Sequence, residues 1–364
     1  MSYSLDDLLR ELVERDASDL HLKAGQPPIM RIRGSLVRSG HPAMSPGEHQ
    51  NLLLSILNPE RRERLESFKE VDLSHYVEGL ARFRVNMFWQ RSQLGAVFRV
   101  IPYKIRTIDD LQMPQVCKQL AMLPRGLILV TGPTGSGKST SLAAMIHHIN
   151  TTKRAHVMTI EDPIEYVHSD QISIINQREL ATDTHSFADA LKHVMRQNPD
   201  VILVGEMRDL ETIQLAITAA ETGHLVLSTL HTVDAAQTMD RIIDVFAPEQ
   251  QAQIRTQLAT TIQAVVSQTL LPTADGQGRV AAFEVMVATP SIRTLIRTGK
   301  THLLPQDIQT GADLGMQALN SCLLKMVKEG KISYEDALAK CSNIQDFIHS
   351  AHMLGVATEA TLHA

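Results

Sequence analysis

GLILVTGPTGSGKST, residues 126–140, decides the fold. An apolar, strand-like run passes into a glycine-rich turn, and SLAAMIHHI (141–149) continues with helical character. The turn, Gly132, Pro133, Thr134, Gly135, Ser136, Gly137, Lys138, Ser139 and Thr140, fits the phosphate-loop pattern G-x-x-x-x-G-K-[ST]. Its glycines let backbone N–H groups turn inward around phosphate oxygens, and the following helix points its positive dipole end at them. Lys138 has the reach for β- and γ-phosphates, and the Ser139 hydroxyl suits Mg²⁺. ATP and Mg²⁺ are therefore the expected substrate and cofactor.

Three more runs have the same apolar, β-rich character, namely AHVMTIED (155–162), DVILVGE (200–206) and HLVLSTLH (224–231). Each is separated from the next by enough chain for a helix. Alternating strands and helices predict a parallel sheet buried on both faces, with ligands beyond the carboxyl ends of the strands. The runs end in chemically useful residues. TIEDPIEY (159–166) carries Glu161, and VILVGEMRD (201–209) carries Glu206 where an acidic pair is often found. A phosphate-loop site needs one carboxylate near the metal and usually one that orients water. Glu161 and Glu206 are the candidates, with Glu206 also a candidate metal contact; which takes which role stays open. Gly205 is expected to leave room for the backbone beside the nucleotide. Asp209 reads as the N-cap of the next helix and Arg208 as a structural or interface residue. His231, at a carboxyl strand end, is a candidate γ-phosphate donor, whereas His224 stays open between function and packing.

The flanks are patterned differently. Leu5, Leu8, Leu9 and Leu12 recur at helical spacing, SDLHL (18–22) and IMRIRGSLVRS (29–39) read as strands, and 45–66 reads as one helix capped by Ser45 and Pro46. GLARFRVNMFWQRSQLGAVFRVIP (79–102) reads as a hairpin. Together these predict a small α+β domain over 1–102, a linker at 103–112, an α/β core over 113–290 and a helical region over 291–364. The whole is 364 residues, about two domains at roughly 150 residues each. The net charge of -5 and 4% aromatics speak against a broad nucleic-acid surface. Three distant cysteines make neither a zinc pair nor a disulfide framework, and they fit a reducing compartment. The N-terminus does not read as a signal peptide, and no apolar run is long enough to span a bilayer.

In combination, GPTGSGKST, TIEDPIEY, VILVGEMRDLETI and TAAETGHLVLSTLHT resemble the Walker A, Asp box, Walker B and His box of secretion-superfamily ATPases. The likeness runs from ASDLHL (17–22) to GMQALNSCLLKMV (315–327) and is strongest to the retraction ATPases of type IV pili. No extra N-terminal domain and no tetracysteine insert are seen, which separates the chain from the larger extension ATPases. SIRTLIRT (291–298) resembles the AIRNLIRE motif of retraction ATPases but departs from it at Ser291, Thr294 and Thr298. The resemblance implies a PAS-like N-terminal domain, a RecA-like core and a homohexamer. It implies that Arg84 and Arg99 act at the nucleotide of a packed neighbour. It also implies an inner-membrane pilus platform protein as partner, an accessory paralogue as relative and partner, and a cytoplasmic place at the pilus base. The competing classes are a nucleotide-gated binding module without turnover and a nucleic-acid motor.

Overall fold

A computed structural model describes residues 3–32, 34–101 and 105–356. They fall into two units: the described residues up to 101 together with 163–167, and 105–162 together with 168–356.

The first unit opens with the helix Leu5–Glu14. Ser4 and Asp7 form a capping box, and the four leucines expected at helical spacing are buried. Six strands follow: β1 (Ala17–Lys23), β2 (Ile29–Ile32), β3 (Ser35–Arg38), β4 (Glu70–Val77), β5 (Ala81–Gln90) and β6 (Gln93–Ile101). They pair antiparallel in the order β3-β2-β1-β6-β5-β4. β5 alternates strictly, with Ala81, Phe83, Val85 and Met87 buried and Arg82, Arg84 and Asn86 on the other face. The helix expected over 45–66 is two helices, Pro46–Leu54 and Pro59–Phe68. Proline at 59 cannot continue the first, and the Asn58 side chain caps the second by accepting from the Arg61 N–H. β4 was not among the expected strands. Its third inward position is His75, so only Val71 and Leu73 precede the break in apolar alternation. Pro102 and the first two linker residues lie outside the described residues.

In the second unit, Ile108 from the expected linker is buried against the sheet with Met113, the first residue of the expected core. The strands are β7 (Gly126–Thr131), β8 (His156–Glu161), β9 (Ile174–Glu179), β10 (Val201–Val204), β11 (Leu225–Leu230), β12 (Ile262–Pro272) and β13 (Arg279–Val287), in the order β13-β12-β7-β11-β10-β8-β9. All neighbours are parallel except β12 and β13. Every residue of β7, β10 and β11 is buried, which is why these runs are mostly apolar. The expected strands at 126–131, 156–161, 201–204 and 225–230 are the middle of this sheet. β9, β12 and β13 extend it at both edges.

The helices after residue 290 belong to this same unit. Pro290–Arg297 ends before Gly299 at φ 70°, and Leu319–Lys328 before Gly330 at φ 69°. Leu323, Leu324 and Phe347 pack with Leu271 and Ala282 of the β12–β13 hairpin.

Phe98 is fully buried in the core of the first unit, among Leu20, Phe83 and Met87. Phe98→Ala should lower the stability of that unit by about 3–5 kcal/mol. Trp89 of β5 is the chain's only tryptophan, so its fluorescence during denaturant unfolding checks this unit specifically.

Candidate active site

The parallel register brings the carboxyl ends of four strands to one edge. Thr131 of β7 pairs with Leu230 of β11, while Val204 of β10 pairs with Ser228 of β11 and with Ile160 of β8. The segments that follow these residues are the phosphate loop, His231, Glu206 and the end of β8 at Glu161.

The phosphate loop takes its shape from positive φ angles at Gly132, Gly135 and Gly137, 143°, 79° and 90°. The helix Lys138–Thr152 then starts at Gly137 with no side-chain cap. Asp209 and Thr289 cap other helices of the unit, whereas Pro248–Thr261 and Leu319–Lys328 also start without a side-chain cap. Leaving this first turn without a side-chain acceptor keeps its N–H groups for an anion.

Lys138 is buried, and its ammonium donates to the Gly132 carbonyl at 2.9 Å and the Pro133 carbonyl at 3.1 Å. Its Nζ lies 3.4 Å from His231 Nδ1. His231 Nε2 lies 3.0 Å from Glu206 Oε1, and the Arg208 guanidinium lies 2.8 Å from Glu206 Oε2. Three of the expected residues therefore form one chain, Lys138–His231–Glu206. Arg208, read from the sequence as structural, joins it at the carboxylate. The Glu206 side chain is 18% exposed against 46% for His231 and 64% for Arg208, so the acid is the recessed member. Glu161 sits one strand further along, its Oε1 accepting from the Thr159 hydroxyl at 2.7 Å and the Gln177 amide at 3.1 Å.

Gly205 leaves room for backbone, that of β8 at its acid-bearing end. A Cβ there would meet the Ile160 carbonyl at 3.1 Å and Glu161 Cα at 3.3 Å, and the Gly205 N–H donates to that carbonyl at 2.8 Å. The glycine makes room for the end of β8, holding the two acid-bearing strands together. Asp209 caps its helix as expected, accepting from the Thr212 N–H at 2.8 Å. His224 precedes β11 and meets the Ala219 carbonyl at 2.9 Å, a helix-end contact away from the site.

Two residues outside every sequence motif support the site. Gln268 of β12 contacts the phosphate loop, and its signal was a Ser-Gln pair inside the apolar run VVSQTLL (265–271). Glu284 of β13 accepts from the Ala235 N–H at 2.9 Å, at the start of the helix that follows His231. Burial pushes its carboxyl up to about 7, and nearby Asp234 adds to the rise.

In the first unit, Arg84 and Arg99 face each other on β5 and β6. Arg99 donates from Nε to Asp19 Oδ1 at 2.7 Å, and Arg31 lies 3.6 Å from the same carboxylate. Burial acts to raise the Asp19 carboxyl, but the Ser18 hydroxyl and the Arg99 guanidinium overcome it and hold it below the usual range. Arg84 meets Glu165, in the 163–167 segment of the same unit, at 3.4 Å. Arg82 donates to the Ser74 hydroxyl at 2.6 Å.

A phosphate loop, an uncapped helix and a Lys–His–Glu chain at the carboxyl edge of a parallel sheet define a P-loop ATPase. The chain belongs to the type II/IV secretion system protein family, whose profile matches residues 2–339. It is 50% identical to the Pseudomonas aeruginosa type IV pilus retraction ATPase PilT over 343 residues, covering 94% of this chain and 99% of that one. It is 41% identical to the type IV pilus ATPase PilU of the same organism over 341 residues, covering 94% and 92%. The structure is similar to the crystal structure of the pilus retraction motor PilT with bound ADP, at a TM-score of 0.87 and 45% identity, covering 94% of this chain and 98% of that one. Among the described residues, no helix is long and apolar enough to cross a membrane.

The raised Glu284 carboxyl makes stability depend on pH. The folded chain holds a proton that the unfolded chain releases between the ordinary value of 4.5 and about 7, so this group's contribution to stability falls as pH rises through that window. Glu284→Gln keeps an acceptor for Ala235 and removes the titration. From pH 5 to pH 8 the variant should gain about 2–3 kcal/mol on the wild type. Denaturant midpoints by circular dichroism across that range check it, and a difference that does not vary with pH refutes it.

Proposed function

We infer that this chain is the ATP-hydrolysing subunit of a motor that powers type IV pilus retraction, acting as a homohexamer on a platform protein of the inner membrane. The observation that carries the reading is the Lys138–His231–Glu206 chain at the phosphate loop, in a chain that matches PilT over nearly its whole length. The identity favours a PilT-like over a PilU-like role, 50% against 41%. A PilU-like protein is the paralogue with which it would work. The protein would lie in the cytoplasm, at the inner-membrane base of the pilus.

ATP lies along the loop Gly132–Thr140, with its phosphates on the backbone N–H groups at the start of the helix Lys138–Thr152. Lys138 exchanges its bonds to the Gly132 and Pro133 carbonyls for phosphate oxygens. His231, freed toward the same phosphate, donates to it and reports its presence. Glu161 and Glu206 divide the orientation of water and the support of the metal between them. A Mg²⁺ ion shared with phosphates needs only one or two protein oxygens, and the Ser139 hydroxyl and Glu206 carboxylate are hard donors of that kind. Such an ion neutralises charge on the phosphate oxygens when bound. Arg84 and Arg99 of a neighbouring subunit complete the charge on the γ-phosphate, and its loss on hydrolysis removes contacts that favour the closed interface.

Purified chain should hydrolyse ATP under ring-forming conditions, and Lys138→Ala and Glu206→Gln should each slow turnover by at least about 100-fold. Wild-type protein that binds ATP yet never turns it over would make this a nucleotide-gated binding module instead. In cells, deletion should give hyperpiliated, non-motile bacteria; bald cells would point to extension.

Arg84→Ala and Arg99→Ala should also slow turnover by about 100-fold or more while the monomer stays folded. Mixing either variant with Lys138→Ala subunits should restore part of the activity, because intact arginines would then meet intact phosphate loops. No recovery at any mixing ratio would place these arginines outside the reaction.

A further inference from the structure

Gln268 lies on β12 beside β7, directly behind the phosphate loop, and is 4% exposed. Its carboxamide makes two short contacts. Nε2 donates to the Ser136 carbonyl at 2.6 Å, and Oε1 accepts from the Ser141 hydroxyl at 2.7 Å. The first partner is two residues before Lys138 and the second three residues after it, in the first turn of the helix. One side chain thus ties the bend of the loop to the start of the helix.

The chemistry of the pair suits a carboxamide. A backbone carbonyl accepts and never donates, so the amide nitrogen must face Ser136. The oxygen then faces Ser141, whose hydroxyl donates. An ionised glutamate has no donor for the carbonyl, and a methionine of similar length has neither group. The loop is also cut to fit this residue. A Cβ at Gly137 would lie 3.1 Å from the Gln268 amide nitrogen, and one at Gly132 would lie 2.2 Å from the backbone carbonyl oxygen of β12 at the same residue, a contact that does not depend on its side chain. Two of the loop's glycines therefore face Gln268, and both lie at positive φ.

We propose that Gln268 is a positioning residue for nucleotide binding: its carboxamide holds the phosphate loop and the first turn of the following helix in the shape that receives the phosphates. It touches no substrate atom itself. The loop's inward N–H groups contribute only when their directions agree, and Gln268 sets that agreement from behind. The anchor is on a strand outside the β7–β11–β10–β8 group that carries the loop, His231 and the two acids. β12 therefore contributes to the site without offering any reacting group. The proposal rests on the assignment of ATPase activity made above and extends it to a residue that takes no part in the chemistry.

The test uses the full-length chain and ADP, by calorimetry and by hydrogen exchange. Gln268→Glu and Gln268→Met should bind ADP at least about tenfold more weakly than wild type. Without nucleotide, the amides of 134–139 should exchange severalfold faster in both variants, while those of β10 and β11 keep their protection. Ser141→Ala, which removes one of the two contacts and is the gentler change, should show the same two effects at a few-fold size. Combined with Gln268→Met it should add nothing further, since both act through one contact. A Gln268 variant that folds, binds ADP within twofold of wild type and leaves loop exchange unchanged overturns the proposal. Where neither Gln268 variant folds, unchanged ADP affinity and unchanged loop exchange in Ser141→Ala overturn it. Wild-type protein that fails to bind ADP overturns the ATPase assignment instead; the exchange rates of the loop still decide whether Gln268 shapes it.

Discussion

The first turn of the helix Lys138–Thr152 has no side-chain acceptor for its N–H groups, and the second unit is built around holding that turn in place. A helix end without a cap forgoes about 1 kcal/mol. Here it is retained at the end of β7, a strand buried along its whole length, where the backbone has no freedom to fray. The sheet supplies the rigidity that the cap elsewhere supplies. Because β7 lies between β12 and β11, the turn is flanked on one side by Gln268 and on the other by His231.

Charge at the site is arranged around a single recessed carboxylate. Glu206 has Arg208 on one oxygen and His231 on the other, and His231 reaches on to Lys138. Lys138 is buried and directs its protons to two carbonyls of its own loop. Each carbonyl is a neutral acceptor and a phosphate oxygen a charged one, so the exchange adds the attraction of opposite charges to bonds that the ammonium already assists. The geometry that satisfies the lysine alone is thus also the one from which it moves least to meet its anion.

Much of this was legible in the chain, and unevenly so. The phosphate loop and the four central strands announce themselves because burial on both faces demands mostly apolar runs, and each such run ends at the site. Glu206, His231 and Asp209 could be placed from their positions just past those runs. The edges of the sheet were less legible. β4 hides behind an inward histidine, and the helix at 45–66 conceals a proline break. Gln268 and Glu284 escaped because their function depends on a pairing between distant strands, Gln268 to a loop 132 residues away and Glu284 to a helix 49 residues away. No local period records such a contact. At Gly205 room for backbone was legible, but not which backbone: the space is filled by the end of β8.

The first unit contains a conflict of its own. Arg84 and Arg99 stand directly opposite on adjacent strands, an arrangement of like charges that costs stability in a sheet. Asp19 offsets part of it from the neighbouring strand. It is itself recessed and shared with Arg31, so it serves two cations with one charge. Glu165 offsets another part, through an exposed pair of the kind worth about 0–1 kcal/mol. The two guanidiniums still stand opposite each other, on a sheet whose other face is a packed core. A local rule strained in this way is expected where function is served. An anion brought up to β5 and β6 would relieve the repulsion between the two guanidiniums while gaining their charge. In the motor proposed above, the cost borne by the isolated unit would become a difference in free energy between a subunit that faces a triphosphate and one that does not, and a cycle of hydrolysis could draw on a difference of that kind.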